Sequence, residues 1–158
     1  MRRLAALLLL LLALAVTVQA APKPPTLVLE TVEVDPATPG PDTLCKLSVT
    51  VKSSGEKTAS ALGFRVRIDG KELPVYRNEL FFRPVAPGVA KIRLHNFWSS
   101  ETGRPFPASG RMTVEVTLTE ARWMDVKTQE GTEVWTPVGV VEGLPVTKSV
   151  TLSLKKPR

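Results

Sequence analysis

Residues 43–52 read Thr-Leu-Cys-Lys-Leu-Ser-Val-Thr-Val-Lys, and the alternation within them decides the fold. Cys45, Leu47, Val49 and Val51 share one phase, while Lys46, Ser48, Thr50 and Lys52 share the other. Successive side chains of a strand point to opposite faces, so a period of two marks a strand with one face buried and one in water. Four more stretches repeat the pattern. Leu62, Phe64, Val66 and Ile68 alternate with Arg65, Arg67 and Asp69. Ala90, Ile92 and Leu94 alternate with Lys91, Arg93 and His95, and Met112, Val114, Val116 and Leu118 with Arg111, Thr113, Glu115, Thr117 and Thr119. Near the end, Val150, Leu152 and Leu154 alternate with Ser149, Thr151 and Ser153. No window carries a helical period.

Working outward, the first strand breaks phase. Leu27 and Leu29 belong together, but Val32 and Val34 belong to the opposite set, with the switch at Glu30-Thr31. A strand with one buried face does this only if it bulges or crosses to a second sheet. Turn chemistry separates the strands: Pro36 to Pro41, then Ser53-Ser54-Gly55, then Asp69-Gly70, then Pro87-Gly88. Asp-Gly suits a tight hairpin, because a type I′ turn needs positive φ at both central residues. Leu73–Tyr76 and Leu80–Phe82 read as short edge pieces. The pattern predicts an all-β chain, an immunoglobulin-like antiparallel β-sandwich of about seven to nine strands over residues 26–154.

Two connections are longer than a sandwich requires. Residues 96–110 carry Phe97, Trp98 and Phe106, and residues 121–145 predict an outer hairpin around Gln129-Glu130-Gly131-Thr132 flanked by Trp123 and Trp135. Pro137, Gly139, Gly143 and Pro145 are expected to interrupt any regular ladder after that turn.

Ahead of the domain, Arg2 and Arg3 precede an apolar run from Leu4 to Val18, and Val18-Gln19-Ala20 offers small residues to a signal peptidase. That order is the grammar of a secretory signal peptide over residues 1–20, followed by a proline-rich lead-in at 21–25 and, at the far end, a basic tail at 155–158. The expected location is therefore periplasmic or extracellular. An uncleaved anchor is the competing reading, although the run falls short of the roughly 20 apolar residues a spanning helix needs. No internal span follows it. Loss of Arg2 and Arg3 would reduce the net charge from +6 to +4, a mildly basic balance.

The pattern Pro36…Pro39-Gly40, Leu47-Ser48-Val49-Thr50-Val51, Ser54-Gly55, Phe64-Arg65-Val66-Arg67-Ile68-Asp69-Gly70 and Pro87-Gly88 resembles the bacterial CARDB-like family over about residues 26–95. The resemblance implies an immunoglobulin-like domain of an exported or surface protein, a family named for a proposed relation to cell adhesion. The chain departs from it in carrying Ser53 where members often have Asn.

Catalytic combinations are not legible. His95 is the single histidine and falls in an outward phase, so no His-paired nucleophile or multi-His metal centre can be assembled. Asp35, Asp42, Asp69 and Asp125 lack the spacing of a calcium loop, although Asp35 and Asp42 end loops that could converge. No metal, cofactor, nucleic acid or catalytic residue is expected. Cys45, the single cysteine, rules out an internal disulfide and falls in an inward phase, where it acts as a small apolar residue.

Two surfaces remain as binding candidates. Phe97, Trp98, Phe106, Trp123 and Trp135 could stack on a sugar or hold a peptide; alternatively Trp123 and Trp135 pair across their hairpin and cap the core. Lys46, Lys52, Lys91 and Arg93 would share one solvent face, expected to be free of acids, if the strands that carry them are neighbours. Such a face suits an anionic polymer or an acidic partner, or serves to discourage aggregation. The expected function is a non-enzymatic exported module for protein–protein contact or envelope structure, with a carbohydrate-binding module as the alternative.

Overall fold

The computed structural model describes residues 24–99 and 110–155. The expected leader, most of the lead-in, Phe106 and residues 156–158 of the tail lie outside the described residues.

The strands are β1 (Thr26–Asp35), β2 (Leu44–Ser54), β3 (Thr58–Ile68), β4 (Lys71–Glu72), β5 (Leu80–Phe81), β6 (Gly88–Arg93), β7 (Phe97–Trp98), β8 (Arg111–Gln129), β9 (Thr132–Val140) and β10 (Val146–Ser153). One sheet runs β1-β2-β6, with β7 also on β2; the other runs β10-β8-β3-β4, with β5 on β3 and β9 on β8. Every pairing is antiparallel. The inner faces meet in one core, to which Leu29, Leu47, Val49 and Val51 come from the first sheet and Phe64, Val66, Val114 and Val116 from the second. The ten strands exceed the expected seven to nine because β4, β5 and β7 are two-residue pieces. Among the described residues no helix is long and apolar enough to cross a membrane.

The inward sets follow the alternation. Cys45, Leu47, Val49 and Val51 are fully buried, as are Leu62, Val66, Ile68, Val114, Val116 and Leu118. Each fully buried Val, Leu or Ile contributes about 1.5–3 kcal/mol, which lets the fold stand without a crosslink. Asp69 and Gly70 both adopt positive φ, 47° and 80°, in the tight turn between β3 and β4.

β1 resolves its phase conflict by bulging. Leu29 pairs with Val51 and Thr31 with Thr50, leaving Glu30 as the extra residue. Leu27, Leu29, Val32 and Val34 are therefore all buried on one strand of one sheet.

A second irregularity lies where β3 meets β8. The pairs Ser60↔Arg122, Gly63↔Glu120 and Phe64↔Leu118 leave Ala61 and Leu62 of β3 and Thr119 and Ala121 of β8 without a partner across this seam, and Ala61 takes a left-handed φ of 51°. Gly63 is required here: a Cβ would lie 2.8 Å from both the Cγ of Glu120 and the Oγ1 of Thr119. The shift reverses the phase of β8, so that Leu118 and then Ala121 and Trp123 point into the core. Arg122, Met124 and Val126 consequently share the outer face.

Beyond Met124, β8 loses β3 and continues as a hairpin with β9 alone. Glu130 and Gly131 form its turn with φ of 51° and 80°, at the expected position. Contrary to expectation, the ladder runs through Pro137 and Gly139 to Val140, with a register shift opposite Trp123/Met124 that absorbs Val138. Proline is tolerated because, among the described residues, no strand neighbours the outer side of β9. In the alternating pattern set by a two-residue turn, the Met124↔Pro137 pair is a non-hydrogen-bonded one, so the nitrogen of Pro137 faces outward. The open edge thus presents a gap in its row of donors, which blunts it against edge-to-edge pairing.

Candidate binding trough and charged face

The aromatic residues singled out in the sequence do not form one site. Phe97 pairs with Cys45 on the inward side of β2 and is 1% exposed, so it belongs to the core and cannot meet a ligand. Trp98, opposite Leu44, faces outward and is 45% exposed. Side-chain and backbone hydrogen bonds hold this corner: Thr43 N–H donates to Ser99 Oγ at 2.9 Å, Ser99 Oγ–H to the Gly40 carbonyl at 3.0 Å, and Gly40 N–H to Thr43 Oγ1 at 3.0 Å. Trp123 is 6% exposed and caps the core opposite Gly139, rather than pairing with Trp135. The hairpin register, with Trp135 opposite Val126 three residues beyond Trp123, puts the two tryptophans on opposite faces, and the phase reversal of β8 decides that Trp123 is the inward one.

Trp135 lies opposite Val126 on the outer face. With Ser60, Phe82, Pro84 and Met124 it lines a trough of about 380 Å³. The trough crosses the second sheet, with Ser60 of β3 between the Phe82-Arg83-Pro84 segment and the foot of the hairpin. Phe82 is 76% exposed and Val140, in line with Ser60 and Arg122, is 68% exposed. Sequence reasoning missed Phe82, Pro84 and Met124. A signal was present: in Leu80-Phe81-Phe82 an alternating strand can bury only one of the two phenylalanines. Phe81 turns inward, edge-on to Phe64 with ring centroids 5.6 Å apart, and Phe82 is left outside.

The basic residues do share a face. β2 and β6 are neighbours, with Thr50 opposite Lys91 and Ser48 opposite Arg93. The expectation that this face carries no acids is wrong, because β1 flanks β2 on its other side and brings its outward carboxylates. Lys46 pairs with Asp35 at 3.7 Å, Lys52 with Glu30 at 3.8 Å, and Lys91 with Glu33. Exposed pairs of this kind contribute at most about 1 kcal/mol each, but they neutralise the field a polyanion would feel.

His95 is half-buried rather than a plain surface residue. Its Nε2 lies 2.7 Å from the Glu79 carboxylate, and its ring centroid is 5.5 Å from those of both Tyr76 and Phe81. The Tyr76 hydroxyl donates to the His95 carbonyl at 3.1 Å. These contacts fasten the β4–β5 segment across to the end of β6, a structural role.

Cys45 is fully buried, and burial, with a smaller contribution from the Asp35 carboxylate, pushes its thiol from 9.0 up to about 11. Thiol reagents at pH 8 should leave the folded chain unlabelled and modify it once in denaturant; rapid labelling of the folded chain would contradict the burial. The sign of the pH effect follows. The unfolded thiol ionises first, so stability attributable to this group is intact below pH 9 and declines as the pH rises towards 11.

No family model and no curated relative matches the chain. Solved structures do. The crystal structure of a CARDB domain from Pyrococcus furiosus, in complex with di-metal ions, is similar at 18% identity, over 82% of this chain and 93% of that one, with a TM-score of 0.41. This chain resembles CARDB domains. The solution NMR structure of the same P. furiosus domain matches at 20% identity, over 82% and 94% of the two chains, with a TM-score of 0.41. A protein from Archaeoglobus fulgidus matches at 7% identity, over 87% and 100%, with a TM-score of 0.36. The CARDB-like resemblance read from the turn-and-strand order thus meets the same domain among solved structures.

Proposed function

We propose that the protein is an exported, non-enzymatic immunoglobulin-like module that works by contact with another protein of the cell envelope or exterior, through the trough beside Trp135. One observation carries this reading: Phe82 and Val140 are left largely in water next to the half-buried Met124 and Trp135, on a rigid sheet face. Burying a side chain such as Phe82 returns about 1.5–3 kcal/mol, and tryptophan is among the residues that most often dominate interface energies. The blunted edge of β9 favours contact through side chains over strand addition. Export is supported by the basic head, apolar run and small-residue motif of residues 1–20, and would place the module in the periplasm or outside the cell. The carbohydrate-binding alternative has weaker support, since of its aromatic set Phe97 and Trp123 are buried and Trp98 and Trp135 sit on different sheets.

A photo-crosslinking amino acid placed at position 135 of the full chain in its native cells tests the proposal. A discrete protein adduct from position 135, absent when the probe is placed at Thr147 on β10, is the expected result. Equal adducts at both positions, or none at 135, would refute it.

A further inference from the structure

Resting on that reading of the trough, we infer that its occupant is an extended segment of a partner protein carrying a large apolar side chain with a carboxylate beside it. The apolar half of the match is the trough itself, whose volume of about 380 Å³ takes one large side chain and part of its backbone. The acidic half is set by two arginines. Arg122 stands on the same face, between Ser60 of β3 and Val140 of β9 and two residues before Met124. Arg83 lies between Phe82 and Pro84 in the chain, next to the trough's lining residues but not one of them.

Neither arginine has a carboxylate within 4.0 Å among the described residues, whereas Arg65, Arg67 and Arg77, on the same sheet and its edge segment, each have one. Glu120, two residues before Arg122 on the same face, lies over Gly63 instead, and Glu133 pairs with Thr128 near the hairpin turn. An unpaired guanidinium on an apolar surface gains most from a carboxylate, which it can hold by two parallel hydrogen bonds. A partner residue that buries its apolar side chain in the trough also excludes water from Arg122 and strengthens that bond. A neutral or basic segment would leave the same arginine desolvated without a partner, so the pair gives specificity as well as affinity.

Selection of a displayed library of random twelve-residue peptides on the full chain tests this, with Arg122→Glu, Arg122→Gln and Trp135→Ala chains in parallel and circular dichroism to confirm that each variant folds. The expected consensus is Phe, Trp or Leu with Asp or Glu within two residues. Its binding should fall at least tenfold in Arg122→Gln and in Trp135→Ala, and selection on Arg122→Glu should recover Lys or Arg in place of the acid. An apolar consensus without acids, indifferent to both Arg122 variants, would overturn the inference while leaving the trough as a contact site. No enrichment, or enrichment indifferent to Trp135→Ala, would overturn both. Arg122-dependent binding to phosphatidylglycerol vesicles, with no peptide consensus, would replace the peptide by a membrane surface and overturn the inference as well.

Discussion

Replacing Phe97 with alanine is expected to lower the unfolding free energy by about 3–5 kcal/mol, while Trp98→Ala, with nearly half of its surface in water, should cost about half as much or less. The two residues are adjacent in the shortest class of strand, and both look like loop aromatics in the sequence. Their fates differ because Phe97 pairs with Cys45, whose side chain points into the core, and Trp98 pairs with the outward Leu44. Removing the Phe97 ring empties a fully enclosed site that the surrounding strands, fixed in two sheets, cannot collapse to fill. A domain of this size has only about 5–15 kcal/mol of net stability, so the loss is a large part of the whole. Urea unfolding of the two variants measures it directly. Equal shifts of the two midpoints would mean that β7 is not seated on β2 as described.

Deleting single residues from β1 and β2 should give the second large contrast. Removal of Glu30 leaves Leu29 opposite Val51 and Thr31 opposite Thr50 with no residue between them, a regular ladder in which Leu27, Leu29, Val32 and Val34 remain inward. The chain should keep its fold, losing the bulge and the exposed Glu30–Lys52 pair, the latter worth at most about 1 kcal/mol. Removal of Thr50 has the opposite consequence. It reverses the phase of one half of β2 against the other, so either Cys45, Leu47 and Val49 or Val51 and Ser53 leave the core. A one-residue slip in a strand flanked on both sides cannot be absorbed at an edge, and the variant should fail to fold. Circular dichroism and amide dispersion in NMR spectra distinguish the cases. A folded Thr50 deletion, or an unfolded Glu30 deletion, would contradict the register.

Much of the sandwich was legible because alternation is a local property and survives in the sequence wherever one face is buried. The alternation alone even locates the phase break in β1, at Glu30-Thr31. The reading failed where two strands bulge together. Alternation in β8 stops at Thr119, and nothing local says that it resumes in the opposite phase at Ala121. The orientation of Trp123 and Trp135 follows from that reversal and from the Ser60–Gly63 irregularity on another strand. The charged face failed for a related reason. Which strand lies on the far side of β2 is a matter of sheet order, and the carboxylates of Glu30, Glu33 and Asp35 come from that strand. The trough was invisible because its walls are separated by some forty residues of chain and meet only across β3.

Hydroxyl-radical footprinting of the folded chain, with and without an envelope fraction of its native cells, tests the central claim that the face beside Trp135 is the one a partner covers. Oxidation of Phe82, Met124 and Trp135 should fall when the fraction is present, with Trp98 unchanged on the other sheet. Protection at Trp98 with Phe82, Met124 and Trp135 still oxidised at their free rate would contradict it.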